Sequence, residues 1–167
     1  MWNQIITTVG AEFSDVPDVA QITRILLRML LAAALGGLLG YEREQKGKAA
    51  GIRTHMLVSM GAALFVLVPQ QAGMEIADMS RVIQGIVAGI GFLGAGAIIK
   101  TGSEERVQGL TTAAGVWMTA AIGVCCGLGR ESTALLAAAM TLVVFALVPL
   151  LVSPAEQEEA TPPHADR

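Results

Sequence analysis

The charges of this chain are gathered into short patches, and the stretches between them decide what it can fold into. Runs free of charge and histidine extend from Met56 to Met74, Val82 to Ile99, Val107 to Gly129 and Ser132 to Ala155. Each is long enough to cross a bilayer core, which asks for about 17–25 residues of helix. A further run, Met29 to Tyr41, is too short by itself; extended back to Ile22 it gives a 20-residue span that carries Arg24 and Arg28. The pattern predicts an all-α membrane protein whose five transmembrane helices form one domain over residues 22–152. Composition agrees: 53% hydrophobic residues, 15% charged residues and a mean hydropathy of +0.60 lie outside the ordinary soluble range.

The flanks read differently. Within residues 1–21, Trp2, Ile5, Ile6, Val9 and Phe13 recur at helical spacing with polar residues between them, as in a helix lying in the membrane interface. A signal peptide is not expected, because the basic n-region is missing and the first long apolar run starts late. Residues 153–167, "SPAEQEEATPPHADR", offer almost nothing to bury and are expected to form a disordered cytoplasmic tail. Orientation follows from Lys and Arg near the span ends. Arg43, Lys46, Lys48, Arg53, Lys100, Arg106 and Arg167 fall on one side, against Arg24, Arg28, Arg81 and Arg130 on the other. The richer side is read as cytoplasmic, which puts the N-terminus outside and the C-terminus inside. The net charge of −3 comes from acidic ends and gives no reason to expect a nucleic-acid partner.

The third span contains a literal G-x-G-x-x-G at Gly89, Gly91 and Gly94. A dinucleotide site needs those glycines between a strand and a helix, with an acidic residue about 20 positions on. Here the motif lies inside an apolar span, and Gly115, Val116 and Trp117 stand where the acid would be. Close helix packing explains the glycines better, because small residues let backbones approach in lipid. Ala32, Gly36 and Gly40 form such a ridge in helix one, Gly85, Gly89 and Gly96 in helix three, and Gly115, Thr119, Gly123 and Gly127 in helix four. Helices 1, 3 and 4 are therefore expected to pack together, with glycine-free helix 5 on the lipid-facing periphery. A ridge left over would make a homodimer.

Reactive groups are few. Cys125 and Cys126 are adjacent in one helix and diverge by about 100°, so they read as small packing residues. His55 and His164 have no partner at zinc-site spacing, and no serine carries a triad pattern. No enzyme, cofactor or metal site is expected. The spans hold no carboxylate; Glu42 sits at the inner end of helix one, and Glu75, Asp78 and Glu131 lie in outer loops. A cation path would have to use carbonyls, threonines or Gln84. Arg28 lies ~21 Å along the helix from Glu42. It either snorkels to the headgroups or turns inward to an outer-loop acid such as Glu75 or Asp78.

Four segments, "LGGLLGYERE", "GIRTHMLVSMGAALF", "GIGFLGAGAIIK" and "VQGLTTAAGVWMTAAIGVCCGLG", follow one another over residues 35–129. Together they resemble the MgtC/SapB family of bacterial inner-membrane proteins. The resemblance implies a five-helix membrane domain linked to adaptation to low Mg²⁺ and, in pathogens, to survival inside phagocytes. It implies a regulator of another membrane protein, such as ATP synthase or a cation pump; the alternative is a small transporter of Mg²⁺ or another cation. Longer members append a cytoplasmic ACT-type domain, so this chain reads as a short form.

Carried over position by position, the resemblance directs attention to Glu42, Arg43, Arg53, Thr54, Thr111 and Thr112 as a functional polar cluster on the cytoplasmic side, beneath helices 1, 3 and 4. The family position held by Thr111 is Asn in some virulence-associated members. Gly36, Gly40, Gly89, Gly94, Gly96 and Trp117 are assigned to helix packing. The competing reading is that the basic residues only hold orientation and that the threonines cap or bond between helices.

Overall fold

The computed structural model describes residues 1–12, 18–101 and 106–151. Phe13, Glu104, Glu105 and the 153–167 tail with His164 and Arg167 lie outside that set. The described chain forms helices α1 (Trp2–Glu12), α2 (Val19–Gln45), α3 (Ile52–Gln71) and α4 (Ile76–Ala97), a hairpin of β1 (Ile99–Thr101) and β2 (Arg106–Gln108), and helices α5 (Leu110–Gly127) and α6 (Glu131–Leu151). Four of them, α2 to α5, are long and apolar enough to cross a membrane, and α6 is apolar as well. α1 buries none of its side chains, so Trp2, Ile5, Ile6 and Val9 are all exposed.

Local chemistry sets the boundaries. α2 starts three residues before Ile22 because Asp18 caps it, its carboxylate accepting from the Gln21 backbone N–H at 2.6 Å. Gly51 and a carboxylate from the preceding helix begin α3: Glu44 Oε2 accepts from the Ile52 N–H at 2.9 Å. The hairpin was not evident from the sequence, which reads as a plain loop there. Ile99 pairs with Gln108, Lys100 with Val107 and Thr101 with Arg106 in antiparallel register. The chain leaves it through Gly109 at φ +93°, where a Cβ would collide with the Ala97 carbonyl oxygen, a turn that only glycine makes without strain.

The packing bears out part of the expectation for helices 1, 3 and 4, since α5, the fourth span, contacts both α2 and α4, the first and third; but α2 packs chiefly on α3, the second span. α5 is the common partner: α2, α3, α4 and α6 all pack on it, while α2 lies mainly along α3 and α6 also covers α2. α2 and α4, the first and third spans, make at most a slight contact. Gly36 and Gly40 do bring α2 onto α3, since a Cβ at Gly36 would stand 2.5 Å from the His55 carbonyl oxygen and one at Gly40 2.6 Å from Ile52 Cα. Gly123 and Gly127 of α5 likewise abut the carbonyls of Ser59 and Ala63. α3 packs closely on both α2 and α5 because Ser59, Ala62 and Ala63 are all buried, and they permit as close an approach as glycine does.

The α4 glycines behave otherwise. Gly85, Gly89, Gly91 and Gly96 face open space, and only Gly94 touches a neighbour, the Ala113 Cβ at 3.6 Å. Gly89 and Gly96 therefore do not serve packing within the chain, and Trp117 is half exposed. α6 buries one narrow face, Ala134, Ala138, Thr141 and Phe145, and exposes Leu135, Leu136, Met140, Val143, Val144 and Leu147.

Candidate functional site

The end of α2 carries the polar group that the sequence singles out, but its walls are not the expected ones. Glu42 and Arg43 form an ion pair, and Glu42 Oε1 also meets Lys46 Nζ at 2.7 Å. Lys46 lies one turn on, where an i,i+4 pair meets, and it donates to the Phe145 carbonyl oxygen at 2.7 Å. The Arg43 guanidinium lies over the Phe145 ring, 3.7 Å from its centroid, and only 3% of its side chain is exposed. Burial of a charge costs heavily unless it is paired. Here Glu42 supplies the counter-charge and the ring face supplies a second, electrostatic partner. Phe145 in turn fits against α5 because Gly115 has no side chain; a Cβ there would stand 3.0 Å from the Phe145 ring.

The cluster is thus built between α2 and α6, resting on α5, instead of beneath the first, third and fourth spans. Of the other residues assigned to it, Arg53, Thr54 and Thr111 are exposed. Thr112 is buried, on the inward face of α5 with Gly115, Val116 and Thr119.

Next to this cluster lies a layer of buried polar side chains to which the sequence assigns no joint role: His55, Ser59, Thr119 and Thr141. His55 Nδ1 lies 3.0 Å from the Gly51 carbonyl oxygen. A carbonyl only accepts, so Nδ1 carries the proton and Nε2 presents a lone pair. That lone pair and the Ser59 hydroxyl are buried without a hydrogen-bond partner among the described residues. Thr119 and Thr141 are satisfied within their own helices, donating to Gly115 O at 2.9 Å and Ala137 O at 2.7 Å. The signal was present in sequence: His55 and Ser59 are four apart, on the helix face that continues to Ala62, Ala63 and Val66. No group of three His, Cys, Asp or Glu side chains converges among the described residues. Cys126 is buried in the apolar core, and both cysteines are free.

Arg28 faces inward at the other end of α2. Its Nη1 donates to Gln70 Oε1 at 2.8 Å and to the Gly127 carbonyl at 2.9 Å, and its Nε lies 3.8 Å from Glu131 Oε1. It does not snorkel. The acid it meets is Glu131 at the start of α6, not Glu75 or Asp78, because the last carbonyls of α5 draw the guanidinium to a helix C-terminus and α6 begins there.

The model of the MgtC family matches residues 29–153. Protein SrpB of Synechococcus elongatus is 45% identical over 127 residues, which cover 70% of this chain and 70% of that protein. YhiD of Escherichia coli, named as a candidate magnesium transporter, is 40% identical over 126 residues, covering 71% of this chain and 58% of YhiD. Protein MgtC of Salmonella typhimurium is 40% identical over 141 residues, 84% of this chain and 58% of MgtC. The chain thus spans little more than half the length of the last two. No solved structure matches it. With a family model that covers most of α2 and all of α3 to α6, and with relatives of this identity, the chain belongs to the MgtC family.

Proposed function

We propose that this chain is a non-enzymatic inner-membrane protein with five spans, N-terminus outside and C-terminus cytoplasmic, that serves adaptation to low Mg²⁺ by docking another integral membrane protein. The observation that carries the reading is the uncovered face of α4. Gly85 and Gly89 line an open apolar groove of about 650 Å³ whose other wall is Leu57, Gly61 and Phe65 of α3. In lipid, helices associate through close packing of such small-residue faces, so the partner chemistry that fits is an apolar membrane-spanning helix with small side chains of its own. The ATP synthase or cation pump expected from the family resemblance would supply such a helix; a second copy of this chain is the other outcome. In-cell cross-linking from the α4 face tests the proposal. A membrane-protein adduct that Gly89→Leu abolishes supports it, whereas an adduct only to lipid contradicts it.

The alternative is a small transporter for Mg²⁺ or another cation. The unpartnered His55 Nε2 and Ser59 hydroxyl inside the bundle favour it, since polar groups buried at membrane depth mark pathways in many transporters. Against it stands the sequence of α3, which carries both residues and holds no carboxylate, the usual ligand of a hard divalent cation. Mg²⁺ flux into dye-loaded liposomes, lost in Ser59→Ala, would make the transporter the better reading.

A further inference from the structure

At the end of α2 remote from Glu42, the helix and the C-terminal turns of α3 enclose a polar recess of about 330 Å³. Gln21, Arg24 and Arg28 form one wall, Gln70 and Gln71 the other, and Ile25 and Leu67 are the apolar part of the lining. We infer that this recess binds a phosphate group at the membrane surface opposite the Glu42 cluster.

The donor set carries the argument. Arg28 has only N–H groups to offer, so its bond to Gln70 fixes that amide with Oε1 towards the guanidinium and leaves the Gln70 NH₂ free to donate. Arg24 sits one turn from Arg28, is exposed, and has no ion pair or hydrogen bond among the described residues. No carboxylate lines the recess. Two acids flank the recess, Asp18 accepting from the Gln21 backbone N–H and Glu131 3.8 Å from Arg28, which leaves Arg24 as its uncompensated charge among the described residues. What remains is an array of donors with net positive charge, which an oxyanion satisfies, and Arg is the side chain that grips phosphate with paired N–H groups. Depth adds the location: Arg24 is ~27 Å along α2 from Glu42. With Glu42 at one surface of a hydrocarbon core ~30 Å thick, Arg24 reaches the headgroup level of the other. The phosphodiester of an anionic lipid and free phosphate offer the same chemistry there.

The test is native mass spectrometry of the full chain released from vesicles of equal phosphatidylglycerol and phosphatidylcholine, with a parallel titration of inorganic phosphate. One phosphatidylglycerol should be retained in preference to phosphatidylcholine. Its occupancy should fall about fivefold in Arg24→Ala, the weight of one basic residue at a membrane surface, and stay near wild type in Arg24→Lys. Inorganic phosphate that binds in an Arg24-dependent way without any retained lipid would assign the same site to the free ion. Because Arg24 is exposed and unpartnered, Arg24→Ala should melt with the wild type, so a loss of ligand reports the site. Retention that is equal for both lipids and unchanged in Arg24→Ala and Gln70→Leu, with no phosphate bound, overturns the inference.

Discussion

The Arg43 guanidinium rests 3.7 Å from the centre of the Phe145 ring, which joins the first and last long helices of the chain through one buried charge. Its carboxylate partner is Glu42. Glu42→Gln removes the counter-charge and leaves Arg43 buried with the ring alone. The expected cost is about 3 kcal/mol, at the lower end for breaking a buried pair. Phe145→Leu keeps an apolar side chain but loses the ring face, and should cost about 1–2 kcal/mol. Chemical unfolding in detergent measures both; equal, near-zero losses would mean the pair is only a surface contact.

Glycines that look alike in sequence should respond in opposite ways. Gly123→Ala drives a methyl into the Ser59 backbone and should destabilise by about 1–3 kcal/mol. Gly89→Ala meets nothing within 4 Å and should be neutral, or stabilising by up to about 1 kcal/mol through helix propensity. Thermal midpoints of the two variants, compared side by side, check the contrast.

That contrast marks how far the sequence could be read. The spans were legible because a bilayer demands uncharged runs of a fixed length, and such runs contain α5 and the greater part of α3 and α4. The closeness of Gly36 and Gly40 to a neighbouring helix was legible too, but which helix was not. Ser59, Ala62 and Ala63 are as smooth as glycine once buried, and a glycine count overlooks them. The Arg43–Phe145 contact leaves no local trace, because its two residues lie at opposite ends of the domain and meet only when α6 folds back onto α2. Charge spacing groups Arg53, Thr54 and Thr111 with Glu42 and Arg43, yet spacing says nothing about which way each side chain turns.

Arg28→Ala should lower stability by about 2 kcal/mol, the scale of lost hydrogen bonds to a charged group. It frees the Gly127 carbonyl and leaves Gln70 without its donor. An unchanged melting temperature would return Arg28 to the snorkelling alternative.

Ser59→Ala removes a buried hydroxyl that has no partner among the described residues. Removing an unsatisfied polar group is expected to be neutral or to stabilise by about 1 kcal/mol. The same variant should leave liposomal Mg²⁺ flux unchanged if the protein is a regulator.

The most direct measurement of the docking account is in-cell photocross-linking from Phe92, which is 82% exposed and lies one turn from Gly89 on α4. The account predicts an adduct with one other integral membrane protein under low Mg²⁺. That adduct should disappear in Gly89→Leu while the purified variant melts with the wild type. Adducts to lipid alone, or an adduct indifferent to Gly89→Leu, would contradict it.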